Sequence, residues 1–311
     1  MRSARATDAQ TPDSDARSAA DPGAQHTQAA RDRRIALLRR TIENAVLYVV
    51  LSLVAVITVF PFVWIFLTSF KGPTDPIYSV PPQLVPQAPT LDNYVRVWNL
   101  LPVGNFYLNS IVATVSVVIL DTLISALAAY PLAKMRFRGR NVIFYTLLAT
   151  LIVPPVLTSI PGFILAVKVF QYHDQLTSVI FPFLANVFNI FLLRQAFRSV
   201  PDDLMDAARI DGAGDLRIWW SIMLPIIRPS LATVAIIIFV TQWNNFFWPS
   251  LMLNTMEHKT LQVGLVALQG AFLNDSRAIA AGVVMTVVPM IIFFMLLQRH
   301  FVRGLTGAVK G

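Results

Sequence analysis

The chain has 311 residues, of which 55% are hydrophobic and only 14% charged, against about a quarter charged in an ordinary soluble domain. The apolar residues are gathered into blocks long enough to cross a bilayer, so the composition points to an all-α polytopic membrane protein and away from a soluble globule. The net charge of +8 requires no nucleic-acid partner, because basic residues flanking membrane spans account for it. The absence of cysteine removes disulfides, thiolate metal sites and cysteine nucleophiles.

Residues 1–40 are rich in Ala, Asp, Arg, Gln, Thr and Ser, with almost no aromatic or β-branched residues, and read as a disordered tail. The apolar run that follows is longer than a signal-peptide core and reads as a retained first span. Residues 41–311 then hold six expected spans: 44–67, 109–132, 141–170, 176–197, 229–253 and 278–297. At 1.5 Å per residue, about 20 residues suffice for a hydrocarbon core of about 30 Å. Between the first two spans lies a Pro-rich segment carrying Tyr78, Tyr94 and Trp98, read as an interfacial loop or lid. Pro154, Pro155 and Pro161 make the third span the one expected to break or kink.

Orientation follows from Lys and Arg. Lys71, Arg96, Lys168, Lys259 and Arg277 fall on one side, and the other twenty fall on the opposite side, including Lys134, Arg136, Arg138 and Arg140 after the second span. That asymmetry places both termini and the loop around Asp206 in the cytoplasm.

Catalytic and cofactor signatures are missing. No Gly-rich loop ends in Gly-Lys-Ser/Thr, no HExxH occurs among the four histidines, and no GxSxG elbow is found. The sequence therefore reads as a non-enzyme with no cofactor and no metal site. One acid lies deep in a span: Asp121, in "VVILDTLIS". An ionisable group at that depth costs a few kcal/mol, so it either serves transport or bonds to a neighbouring helix. Asn186 and Asn189 in the fourth span pose the same choice. Trp243 and Asn244 are further candidates for a pathway wall, with Trp243 and Trp248 equally readable as interfacial anchors.

The polar stretch "DAARIDGAGDLRIWWSIMLP" interrupts this apolar chain. Ser199 reads as a helix cap, Pro201 sits in the first turn, and Asp202 and Asp203 complement the helix dipole. Gly212 is expected to end this helix in a left-handed conformation, and Asp215 to cap a second one that runs to Pro225. Leu204, Met205, Ile210, Ile218, Trp219 and Ile222 then form an apolar knob framed by charges. Such a knob suits either a groove on another protein or an elbow lying on the membrane.

This stretch closely resembles the EAA loop of ABC-importer permeases, across about 199–225. The matching residues are Asp206, Ala207, Ala208, Ile210, Asp211, Gly212, Ala213, Trp219, Ile222, Leu224 and Pro225, with Asp206 in place of the usual Glu and Trp219 in place of the usual Phe. "AAYPLAKMRFRGR", "VPPVLTSIP", "QWNNFFWPSLML" and the ending "RHFVRGLTGAVKG" are similar to the carbohydrate-importing, maltose-permease-like branch, as its second membrane subunit. The tail is one residue shorter than usual between Thr306 and Gly307.

The resemblance implies a type I importer permease fold with cytoplasmic coupling helices. It implies a second, homologous permease, two cytoplasmic ATPase subunits that dock on the loop, an extracytoplasmic solute-binding protein, and a sugar as cargo. The tail around Gly304, Gly307 and Lys310 is expected to reach toward the ATPases. Glycerol phosphate or a polyol is the alternative cargo, and an autonomous secondary transporter using Asp121 is the alternative class.

Overall fold

The computed structural model describes residues 22–81, 83–272 and 275–308; residues 22–38, 294 and 296–308 are described as helix alone. No strand occurs among the described residues. Residues up to Phe62 form one compact unit and the remainder a second.

Helix α1 (Pro22–Ser69) fills the described part of the first unit. Within the segment 1–40 read from the sequence as a disordered tail, residues 22–40 are helix, and residues 1–21 lie outside the described ones. The reason is local. No glycine or proline interrupts the chain between Ala24 and Phe60, and the run from Ala29 to Arg40 is rich in Ala, Arg and Leu. Once the apolar span has nucleated a helix, each further residue adds a hydrogen bond at little cost. Arg39 pairs with Glu43 one turn on, at 2.8 Å. From Val46 to Phe62 the apolar side chains are exposed on all sides, including Tyr48, Val49 and Val56. A helix that is apolar all round requires lipid or protein cover.

In the second unit, α2 (Asp92–Leu100) replaces part of the expected loop or lid. It is held by polar contacts that the sequence pattern does not display. Buried Lys71 donates to the carbonyls of Pro76 and Gln83 at 3.0 and 2.7 Å, with its ammonium over the Trp64 ring. Asn93 donates to the carbonyls of Ser69 and Lys71, and Arg96 pairs with Asp275 at 2.7 Å. Burial raises the Asp75 carboxyl pKa, but hydrogen bonds from the Gly72, Ala88 and Gln87 amides outweigh it and hold the group below the usual carboxylate range.

Helix α3 (Val103–Lys134) is the central element, and α4 (Arg140–Thr150) follows a turn at Gly139. Arg194 is buried there: its Nε donates to the Leu132 carbonyl, and its guanidinium lies 3.6 Å from the Phe144 ring centroid. The break expected in the third span is present. Helix α5 (Pro155–Ile164), with its continuation to Val169, turns 96° from α4.

The fourth expected span starts as two 3-10 turns (Leu176–Val179 and Phe181–Phe183) and bends 43° into α6 (Val187–Arg198). Next come α7 (Asp203–Ile210), α8 (Asp215–Ile218), a π turn (Trp219–Met223), the short α9 (Leu224–Ile226) and α10 (Arg228–Trp243). The fifth expected span, 229–253, is corrected to two pieces. Helix α10 stops at Asn244–Phe246 before α11 (Phe247–Met252). The Asn244 amide bonds the Val240 carbonyl, and Pro249 brings no N–H, so the ladder does not continue through this run. Asp174 clasps the C-terminal end of α11: burial raises its carboxyl pKa, but bonds from Thr255 and Asn254, with His258 nearby, bring it to about 2.

Helix α12 (Leu261–Ala271) is a short apolar addition, and α13 (Ser276–Ala308) contains the whole sixth span. At Gly264, α12 comes so close to α3 that a Cβ there would collide with the buried Phe106 ring. Among the described residues, three helices suffice by length and composition to cross a bilayer, in α1, α3 and α13, and three bent pairs would raise the number to six.

Candidate functional site

Two polar features stand out in this apolar molecule. The first lies midway along α3. Asp121 is 1% exposed, and its carboxylate accepts from Ser125 Oγ (2.8 Å), the Asn186 backbone N–H (3.1 Å) and Asn189 Nδ2 (2.7 Å). Asn186 in turn caps α6 by accepting from the Phe188 amide at 2.9 Å. The carboxylate therefore faces the positive end of α6, where the helix dipole and its unpaired N–H groups favour negative charge. Three of the residues singled out from the sequence are one network, and it joins α3 to α6.

Trp243 and Asn244 do not join it. Trp243 is buried in a second cluster, stacked on Phe239 with ring centroids 5.7 Å apart, so it is neither an interfacial anchor nor on an open wall. The Asn244 amide is turned onto its own helix.

The second feature is the bent stretch after α6. Ser199 ends α6, its hydroxyl bonding the Ala196 carbonyl, and so does not cap α7; the residue at the α7 cap position is Asp202. Lys134, at the end of α3, reaches across to the Val200 carbonyl and to the Asp202 carboxylate. The hydrogen bond from Lys134, with its charge, pulls the Asp202 pKa below the usual carboxylate range.

The corner itself is a Schellman motif. Gly212 has φ +78°, its N–H bonds the Arg209 carbonyl (3.0 Å), and the Ala213 N–H bonds the Ala208 carbonyl (2.9 Å). Arg209 staples the two helices, donating to Asp215 at 3.2 Å and pairing with Asp206 at 3.5 Å. Gly214, not Asp215, occupies the cap position of α8, and Asp215 is its first helical residue.

The inner side of this elbow packs into the main core through Met205, Ala208, Ile218, Trp219 and Met223. Its outer side carries Ile210 (87% exposed), Leu216 and Trp220 (62% exposed). The sequence reading put Trp219 on the knob; the structure buries it, 6% exposed, and turns Trp220 outward. Adjacent helical residues lie about 100° apart, so with Ile218 and Trp219 turned into the core Trp220 faces away from it. Ile222, Leu224 and Pro225 are partly buried and lead into an 80° bend before α10. Gly304 and Gly307 lie in the last turns of α13, and Lys310 falls outside the described residues.

Residues 121–307 match the family described as binding-protein-dependent transport system inner membrane component. The chain belongs to this family. The match begins at Asp121, so both the buried network and the elbow of this permease lie within it.

Among its relatives, the arabinooligosaccharides transport system permease protein AraQ of Halalkalibacterium halodurans is 36% identical over 263 residues, covering 84% of this chain and 94% of that protein. The diacetylchitobiose uptake system permease protein NgcG of Streptomyces coelicolor is 36% identical over 277 residues, 88% of each chain. The sn-glycerol-3-phosphate transport system permease protein UgpE of Yersinia pestis is 32% identical over 243 residues, covering 75% of this chain and 86% of that one. A solved chain of a bacterial ABC transporter that imports the acidic polysaccharide alginate is 28% identical, with a TM-score of 0.75 over 84% of this permease and 96% of its own length. The permease fold and the ABC-importer family are thereby established for this chain.

Proposed function

We propose that this permease forms half of the pathway by which a binding-protein-dependent importer takes up a neutral sugar, and that its elbow seats a cytoplasmic ATPase. The carrying observation is the elbow: exposed Ile210, Leu216 and Trp220 on a corner whose other side is locked into the core. A rigid apolar tip of this type suits a helix-in-groove contact. ATP hydrolysis then belongs to the partner, two copies of which would serve this permease and a homologous second one. An extracytoplasmic binding protein would deliver cargo, and the tail around Gly304, Gly307 and Lys310 would approach the ATPase pair.

Sugar is favoured by relatives named for arabinooligosaccharides and diacetylchitobiose. Glycerol phosphate is the second reading, supported by the UgpE relative. An anionic cargo would call for positive charge along the pathway, and the expected spans hold few basic residues.

The test of docking compares neighbouring tryptophans. Trp220→Ala is expected to leave folding intact and reduce ATPase co-purification about tenfold or more, as loss of an interface tryptophan costs about 2 kcal/mol. Trp219→Ala should instead lower thermal stability, because truncating a buried tryptophan costs about 3–5 kcal/mol. The reverse pattern would overturn the assignment of the docking face.

Six spans with both termini inside complete this reading, each bent pair counting as one crossing. In the cysteine-free chain, a Val80→Cys variant should react with an impermeant thiol reagent added outside intact cells, and an Arg138→Cys variant should react only after lysis. Labelling in the opposite sense would reverse the orientation.

A further inference from the structure

The residues just after Trp243 and Asn244 open onto a cavity. A cavity of about 350 Å³ lies among the start of α5, the second 3-10 turn and the start of α11. Its wall includes Thr158, Ser159, Gly162, Asn245, Phe247 and Trp248.

Three chain breaks meet around it. The chain turns 96° before α5, bends 43° between the 3-10 turns and α6, and stops being helical at Asn244–Phe246. The first two fall inside bent helix pairs apolar enough to be membrane spans, and the third directly follows such a pair at the end of α10. Non-helical backbone at membrane depth is tolerated only where it is buried in protein or lines a water-filled cavity, because hydrocarbon offers no hydrogen bonds. Convergence of the breaks on one open cavity fits the second of these conditions.

The wall has a fixed aromatic plane. Trp248 Nε1 donates to the Ser178 carbonyl at 2.9 Å, which sets the orientation of the indole. Gly162 lies against the same ring; a Cβ there would come within 3.3 Å of it, so any larger residue would displace the plane. Phe247 beside it is half exposed. Gln242, at the end of α10, bonds the Val179 carbonyl at 2.9 Å and ties the α10 end to the first 3-10 turn.

Hydrogen-bonding groups sit around the plane. The hydroxyls of Thr158 and Ser159 donate to the carbonyls of Pro155 and Val156, which leaves their oxygen lone pairs free to accept. Among the described residues the Asn245 side-chain amide has no partner. No ionisable residue lines the cavity.

We infer that this cavity is a subsite for one or two rings of a neutral sugar, with Trp248 as the stacking platform and Asn245 as the hydroxyl partner. A sugar ring presents an apolar C–H face and a polar rim, which match a flat indole flanked by an amide and two hydroxyls. A phosphate or uronate would meet no counter-charge and would lose its hydration without compensation. The inference rests on the permease reading above and assigns the cargo class to named residues.

The test uses the purified full chain in lipid nanodiscs and saturation-transfer NMR with lactose, diacetylchitobiose, an arabinotriose and sn-glycerol 3-phosphate as probes. At least one neutral sugar should give a transfer signal that falls at least about fivefold in Trp248→Ala and returns in part in Trp248→Phe. Glycerol phosphate should give none. A sugar signal indifferent to Trp248→Ala, an equal signal from glycerol phosphate, or no sugar signal at all would overturn the subsite.

Water access is read separately: an Asn245→Cys variant should react with a charged thiosulfonate reagent, and failure to react would mean a lipid-facing cavity. ATPase co-purification is measured on the same wild-type preparation. Recruitment without a sugar signal sinks the subsite alone, whereas absence of recruitment sinks the permease reading on which it rests.

Discussion

Replacing Gly212 with valine is expected to leave the permease in the membrane while ATPase recruitment and uptake fall together by about tenfold or more. Insertion is governed by the apolar length of the spans, which this loop does not touch. The corner is different. Gly212 sits at φ +78°, a region closed to β-branched residues by clash within their own backbone. No neighbouring atom lies within 4 Å of a Cβ built there, so the penalty comes from the dihedral angle and not from crowding.

Strain of this type costs about 1–3 kcal/mol. The chain can relieve it by giving up the Gly212 to Arg209 and Ala213 to Ala208 hydrogen bonds, which would swing Ile210 away from Leu216 and Trp220. Asparagine tolerates the left-handed region, so Gly212→Asn should remain near wild type. Co-purification of the ATPase and uptake in the same cells read both variants. Full recruitment by Gly212→Val would show that the corner is not needed for docking.

Asp121→Ala should be among the most destabilising single changes in the protein. It removes the acceptor for the buried Asn189 amide and for the half-buried N–H bond of Asn186. A buried donor left unpaired costs about 1–3 kcal/mol, which applies in full to the Asn189 amide and in part to the Asn186 N–H, and the truncation leaves a small void as well. Ser125 escapes part of this cost because its hydroxyl can rotate toward its own helix.

Asp121→Asn behaves otherwise. Its carbonyl oxygen can keep the bonds from Ser125 and Asn186, and a flip of the Asn189 amide restores the third. Thermal stability and uptake should both stay close to wild type in Asp121→Asn, while Asp121→Ala loses both. A stable Asp121→Asn protein without uptake would mean that the carboxylate moves a proton or contacts cargo, and the secondary-transport alternative would regain ground.

The local features were legible in the sequence because they depend on local chemistry. An all-helical architecture follows from long apolar runs in which only intrachain hydrogen bonds can satisfy the backbone. The break in the third span follows from paired prolines, and the left-handed corner from a glycine placed just beyond a short amphipathic run. The resemblance of that corner to a permease loop was carried by the same residues.

Tertiary structure decided what depends on distant partners or on small rotations. Asp121 and Asn189 are 68 residues apart, and nothing local to either one indicates that α6 presents its positive end to the carboxylate. Trp219 and Trp220 are adjacent and chemically identical; which side of their helix packs on the core determines that one is inside and the other faces outward. Helix α2 and the buried Lys71 beside it are held by carbonyls and carboxylates brought in from elsewhere along the chain, a pattern with no periodic signature. The cavity beside Trp248 exists only because three separate interruptions of helix meet at one place. Each interruption can be guessed from its prolines or asparagines, but their meeting is a property of packing, and packing is set by side chains that the one-dimensional pattern does not bring together.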